Sequence, residues 1–149
     1  MERKQIEDVF DFLSDTQVIG HEAALVQYYE LVRHLRDSLL GVRLIISEHR
    51  YLRLIDSACI RYIEVRKRII TIHTDRDIYE TYASLSETEM RLGTIGFLRV
   101  HRYYLVSCRH IILMGKQDLV LDTGHKIPVG RAYRQNIQNF LDSGSNIRI

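Results

Sequence analysis

Tryptophan is absent from the 149 residues, proline occurs once and cysteine twice. Without Trp, the core aromatics must come from 9 Tyr and 4 Phe. The single proline, Pro128, points to an edge strand or a strand end, because it has no N–H to donate to a ladder. Cys59 and Cys108 lie far apart, each in an apolar run, and no Cys-x-x-Cys pair exists. That spacing excludes a structural zinc site or a redox dithiol and leaves two buried free thiols in a reducing cytoplasm as the expectation. Long apolar runs are missing too: none approaches the ~20 residues that a membrane helix needs. Met1 to Gln5 lead into an amphipathic stretch, not the apolar core of a signal peptide. Catalytic signatures are equally scarce. There is no His-x-x-x-His, no cluster of carboxylates and no nucleophile elbow, so an acid–base pair of His73 and His101 has no motif behind it. The chain reads as a non-enzyme, with no metal, no cofactor and no small-molecule substrate.

What is present suits a folded domain. Hydrophobic residues make up 46% and charged residues 27%, close to the globular average, so a core can form. The net charge of +2 hides an asymmetry. Residues 1–42 hold 4 Lys/Arg and 8 Asp/Glu, whereas residues 43–149 hold 17 and 11. The first part is acidic and a poor partner for DNA; the second is a modest basic footprint for a polyanion.

The hydrophobic period changes at the same place. Ile6, Val9, Phe10 and Leu13 form one helical stripe, interrupted by Asp15, Thr16 and Gly20. Leu25, Tyr28, Leu31, Val32, Leu35 and Leu39 form a second, closed by Gly41 as C-cap. After Gly41 the chain reads as strands: Leu44–Ser47, Tyr51–Ile55, Ile60–Val65, Arg68–Thr74 and Ile78–Tyr82, rich in β-branched residues. Ser86 with Glu89 forms a capping box that opens a short helix, and Gly93 stops it. Strands resume at Phe97–His101, Tyr104–Val106, Ile111–Met114, Leu119–Leu121 and Lys126–Val129, with Asp122, Thr123 and Gly124 as a hairpin turn. Arg131–Leu141 reads as a last short helix with Tyr133, Ile137, Phe140 and Leu141 on its apolar face. No long helix follows residue 92, so a helix-turn-helix has no place to sit.

Four segments in order carry a resemblance. Phe97-Leu98-Arg99-Val100-His101-Arg102-Tyr103-Tyr104-Leu105-Val106-Ser107 resembles the signature of the LytTR family, a Phe followed by Arg-x-His-Arg-Ser-x-x-Val-Asn. Ile60-Arg61-Tyr62-Ile63-Glu64 resembles that family's I-x-Y-I-E strand. Leu85 to Glu89 with Leu92 resembles its short helix. Ile127-Pro128-Val129-Gly130-Arg131-Ala132-Tyr133 resembles its IPVSR-x-Y ending. Coverage runs from about residue 43 to 141.

The resemblance implies a mainly β fold, an elongated set of small β-sheets with one short helix, here preceded by the α-helical segment. It divides the chain into a helical segment, 1–42, and a DNA-binding domain, 43–149. It also implies a bacterial, cytoplasmic, sequence-specific transcription regulator whose loops enter successive major grooves of directly repeated sites in double-stranded DNA. A receiver domain usually precedes such domains. The forty residues before this one are too short for a receiver and lack its acidic pocket, so the chain resembles the stand-alone members.

Several residues have the chemistry that DNA contact needs. Arginine's planar fork matches the O6 and N7 acceptors of guanine, whereas phosphate needs only an exposed donor. In the family a basic or His residue enters the groove near the loop at Arg66-Lys67-Arg68, which places that role on Lys67 or Arg68. Arg102 matches a position that reads bases or backbone, Tyr103 can stack or bond to phosphate, and Arg131 matches the C-terminal contact. Arg134, one turn on, is a phosphate candidate. His101 is expected to be a structural, hydrogen-bonded histidine. Three positions depart from the family pattern: Tyr103 and Gly130 for Ser, and Ser107 for Asn. They keep open an alternative in which the fold serves as a protein-interaction or anti-regulator subunit. The N-terminal stripes, with Phe10, Leu13, Leu25, Tyr28, Val32, Leu35 and Leu39, either pack on the β domain or form a homodimer; a regulatory partner protein is the third candidate.

Overall fold

The computed structural model describes residues 21–144 and 146–149. Phe10 and Leu13 therefore lie outside the described residues. The chain divides into two units, up to Leu39 and from Leu40 onward. In the first unit the described element is helix α1, His21–Leu40. Its Ala, Leu, Glu, Gln and Arg content suits a helix. Leu25, Leu31 and Leu35 are exposed, Tyr28 and Val32 half-buried, and Tyr28 meets Tyr29 edge-on. No described helix is long and apolar enough to cross a membrane. Gly41, the residue after α1, takes φ +75°, the left-handed conformation of a helix-terminating glycine.

The second unit is built from ten antiparallel strands in three sheets. A hairpin joins β1 (Arg43–Glu48) to β2 (Tyr51–Asp56). The central sheet contains β3 (Ile60–Arg66), β4 (Ile69–Thr74), β5 (Ile78–Tyr82), β6 (Phe97–His101) and β7 (Tyr104–Ser107), in the order β5-β4-β3-β7-β6. The third contains β8 (Ile111–Met114), β9 (Asp118–Leu121) and β10 (Lys126–Pro128), with β9 in the middle. Pro128 ends edge strand β10, where a missing donor costs nothing.

Both faces of the central sheet are covered, which explains why its strands are apolar at both parities. Ile63, Ile70, Ile72, Phe97 and Leu105 point to one face. There they pack with Ile46 and Ile55 of the hairpin and with Leu85 and Leu92 of α2 (Leu85–Leu92). Tyr62, Val100 and Val106 point to the other, against Leu119, Leu121 and Ile127 of the third sheet and Ile137 of α3 (Arg134–Leu141). The two β layers are also tied by charge. Arg61 of β3 pairs with Asp122, and His110 Nδ1 lies 2.8 Å from the same carboxylate. His110 and Arg61 hold the Asp122 carboxyl below the usual carboxylate range, its bond to His110 contributing most.

Three local details differ from the sequence reading. Helix α2 begins two residues earlier than a Ser86 cap would have it. Ser84, in extended backbone, caps the Glu87 N–H, and Ser86 falls inside the first turn. Gly93 does cap α2, which ends at Leu92, but it is right-handed rather than left-handed: a 3-10 turn continues over Gly93–Ile95, and Gly96 at φ +91° makes the exit into β6. The final helix starts at Arg134, because Arg131–Tyr133 form a separate 3-10 turn. Cys59 and Cys108 are both free, and half-buried rather than fully buried. Desolvation raises both thiols, Cys108 to about 11, so neither is a reactive thiolate at neutral pH.

Candidate nucleic-acid interface

Two hairpin turns at one end of the central sheet carry the candidate residues. Strands β3 and β4 pair up to Arg66 and Ile69, leaving Lys67 and Arg68 as a two-residue loop. Strands β6 and β7 pair up to His101 and Tyr104, leaving Arg102 and Tyr103 as another. Strand β3 is bonded to both β4 and β7, so the loops are neighbours. A backbone bond joins them: the Val65 N–H donates to the Tyr103 carbonyl at 3.0 Å. Ala83, just after β5, donates to the Arg68 carbonyl at 3.1 Å and brings the start of α2 to the same edge. Lys67, Arg68, Ser84, Ser86 and Arg102 line one open groove there.

The tips are exposed and cationic. Lys67, Arg68, Arg102 and Tyr103 are all exposed. Lys67 takes φ +56°, a left-handed conformation that non-glycine residues rarely adopt and that a two-residue hairpin demands. Such backbone concentrates at functional positions. The Arg102 guanidinium lies 4.6 Å from the centre of the Tyr103 ring, a cation–π contact that leaves its donors free at the tip.

Arg131 joins this edge through its neighbour. The Gly130 N–H donates to the Val100 carbonyl at 2.8 Å, and a Cβ on Gly130 would lie 3.4 Å from the His101 ring and 3.1 Å from that of Tyr133. The missing side chain thus lets the Gly130–Arg131 segment pass close to the base of the Arg102 turn. Arg131 and Arg134 are both exposed, but no described hydrogen bond or ion pair links Arg134 to the turns.

His101 is hydrogen-bonded. Its Nδ1 accepts from the Tyr103 N–H at 3.1 Å, which requires a neutral ring. Burial, then Arg102 and Arg99, lower its pKa and favour that neutral form. His73 has a different setting: Nε2 lies 3.1 Å from Glu64 Oε1, and the ring stacks on Tyr62 with centroids 4.1 Å apart. The departure at Ser107 sits away from the turns, buried at the far end of β7 opposite Phe97.

Sequence reasoning missed Arg99 as a residue of this site. It is only 8% exposed, yet charged, on the same face as Phe97. Its signal was a cation between the apolar Leu98 and Val100, three residues before the turn. No described group of three or more His, Cys, Asp or Glu is arranged to hold a metal ion.

Comparison with known proteins bears on the fold and the family. A solved structure described as the LytTr DNA-binding domain of a methyl-accepting/DNA response regulator from Bacillus cereus superposes with a TM-score of 0.60 at 20% identity, covering 68% of this chain and 97% of that one. This likeness shows the fold. The CO-responsive transcriptional regulator RcoM of Rhodospirillum rubrum is 33% identical over 93 residues, 58% of this chain and 39% of that protein. The transcriptional regulatory protein LytR of Staphylococcus aureus is 33% identical over 75 residues, 47% of this chain and 30% of that one. The sensory transduction protein LytT of Bacillus cereus is 30% identical over 77 residues, 48% of this chain and 31% of its own length. The chain thus spans about a third of the length of these relatives. The model of the LytTr DNA-binding domain matches residues 50–142, the hairpin turns, α2, the third sheet and α3 included, and the chain belongs to the LytTR family of DNA-binding domains.

Proposed function

We propose that this chain is a sequence-specific transcription regulator whose Lys67–Arg68 turn, Arg102–Tyr103 turn and Arg131 enter successive major grooves of directly repeated DNA sites. The observation that carries the proposal is the convergence of these exposed cations on one edge. Backbone bonds from Val65 to Tyr103 and from Gly130 to Val100 fix the spacing of their loops. A row of exposed cations, three of them arginines, suits both halves of recognition, since phosphate contacts set the register and forked contacts to guanine read it. Arg134 serves as a phosphate contact beside Arg131. The cytoplasm is the compartment that this role requires.

Each domain brings few contacts, and linking two copies raises the local concentration of the second on a paired site. We assign that link to the stripe of Leu25, Tyr28, Val32, Leu35 and Leu39, together with Phe10 and Leu13, as a homodimer surface. The exposed Leu25 and Leu35 of α1 support it. A regulatory partner protein would compete for the same stripe.

The test is fluorescence anisotropy with a pool of directly repeated random duplexes and a scrambled control, across a salt series. Enrichment of a repeat, with log K falling linearly in log salt, is expected. Absence of binding to the pool at low salt would overturn the proposal and favour a protein-interaction role for the same fold.

A further inference from the structure

Arg99 is charged, almost fully buried and aimed at the underside of the Arg102 turn. Its Nε donates to the His101 carbonyl at 2.7 Å and its Nη2 to the Arg102 carbonyl at 2.6 Å. Its Nη1 donates to Glu89 Oε2 of α2 at 2.9 Å. Its guanidinium also lies 5.5 Å from the centre of the Tyr133 ring, two residues beyond Arg131. On the backbone side, Asn136 of α3 donates to the Arg99 carbonyl at 3.4 Å. One side chain therefore touches the turn that carries Arg102, the helix that borders the Lys67–Arg68 groove and the 3-10 turn that begins with Arg131.

A buried charge is expensive unless it is paired and its donors are used. Arg99 is paired with Glu89, but that pair alone would not need two further carbonyls from the turn. The two carbonyls belong to consecutive residues, the last of β6 and the first of the turn, and only a fork with several donors in fixed directions can hold both and a carboxylate as well. The strand is irregular at this point, with a shift of register between Arg99 and His101.

We propose that Arg99 is a positioning residue for DNA reading: it fixes the Arg102–Tyr103 turn and couples it to Arg131 without itself reaching the nucleic acid. The proposal rests on the DNA-reading role assigned above to those loops. It assigns to the chain a device in which α2, through Glu89, sets the orientation of the turn that reads the groove.

The test combines two readouts on Arg99→Lys, which keeps the charge and removes the fork. The first needs no DNA. Amide hydrogen exchange at Val65 and Tyr103, whose N–H groups lie at the turn, is expected to accelerate on the order of tenfold, with Ile63 in the core unchanged. Unchanged exchange at the turn would overturn the proposal whatever the DNA result. The second is a double-mutant cycle in the anisotropy assay. Arg99→Lys is expected to weaken specific binding about tenfold in the wild-type background and clearly less in the Arg102→Ala background, where only Tyr103 and the coupling to Arg131 remain to be lost. Additive losses in the cycle would mean that Arg99 touches DNA directly and would overturn the positioning role. Glu89→Gln, at a half-exposed carboxylate, provides a variant that folds if Arg99→Lys does not; a loss of about threefold that shrinks with Arg102→Ala is expected, and no loss counts against the proposal. If the wild-type chain binds no DNA while the exchange result holds, the DNA-reading role fails and the positioning of the turn stands.

Discussion

Replacing Arg102 by Ala removes one exposed cation from a turn whose neighbours stay in place. Lys67, Arg68, Arg102, Arg131 and Arg134 are the five exposed cations assigned to DNA above. If each neutralises one phosphate, log K falls with log salt at a slope of about −4.5, since each contact contributes about −0.9. Arg102→Ala should bring that slope to about −3.6. Between about 50 and 200 mM salt, one lost contact makes the wild type fall about 3.5-fold more steeply than the variant, a difference well within reach of anisotropy titrations. Loss of the fork should also weaken low-salt binding to the selected site by about 1–3 kcal/mol. Arg102→Lys separates the two effects: the charge and the slope remain, while the preference among repeats relaxes. The side chain touches the surface ring of Tyr103 rather than the core, so the unfolding free energy should stay within the range of neutral surface changes, about 0.5 kcal/mol. An Arg102→Ala protein that keeps both the wild-type slope and the wild-type affinity would refute the placement of this turn on DNA.

Four further outcomes follow from the same structure. Ile63 is fully buried in the central strand, so Ile63→Ala should cost about 2–5 kcal/mol in chemical denaturation, a large part of an ordinary domain's stability. Gly96 has open space around its would-be Cβ but sits at φ +91°, so Gly96→Ala should destabilise by about 1 kcal/mol through backbone strain alone, read as a lowered melting temperature with unchanged DNA affinity. His101 has a lowered pKa, so it binds fewer protons folded than unfolded. Its contribution is present above the ordinary value of 6.5 and is lost as pH falls through the lowered folded value. The melting temperature of the wild type should drop over that window more than that of His101→Gln, and equal drops would remove the histidine from the account. Finally, Val32→Asp with Leu35→Asp should convert a dimer to a monomer in sedimentation equilibrium and weaken binding to paired sites more than to single ones; a wild-type monomer would remove the helix stripe from the function.

Much of the fold was legible along the chain because its signals are local. β-branched runs with apolar residues at both parities marked the central strands, and Asp122, Thr123 and Gly124 marked a hairpin whose glycine indeed takes φ +87°. The helix start was harder. Two serines two residues apart are both plausible caps, and Ser84 is the one left extended by the strand before it. The two glycines after α2 posed the same problem: which of Gly93 and Gly96 turns left-handed depends on where β6 must begin, not on either residue.

The sequence by itself determined the family, the strand content and the identity of the basic loops, since these depend on residue type and spacing. Only the tertiary structure decided which polar residues stand exposed at the turns and which hold those turns from beneath. Arg99 and Arg102 are both arginines in one motif, yet one is buried under the turn and the other exposed at its tip. Ser107, a departure within the same motif, turned out to lie buried at the opposite end of β7. The physical reason is that a charge can enter an apolar face only where it is paired and hydrogen-bonded. For Arg99 those partners include Glu89 ten residues before it and a ring far after it at Tyr133, and only folding brings them together.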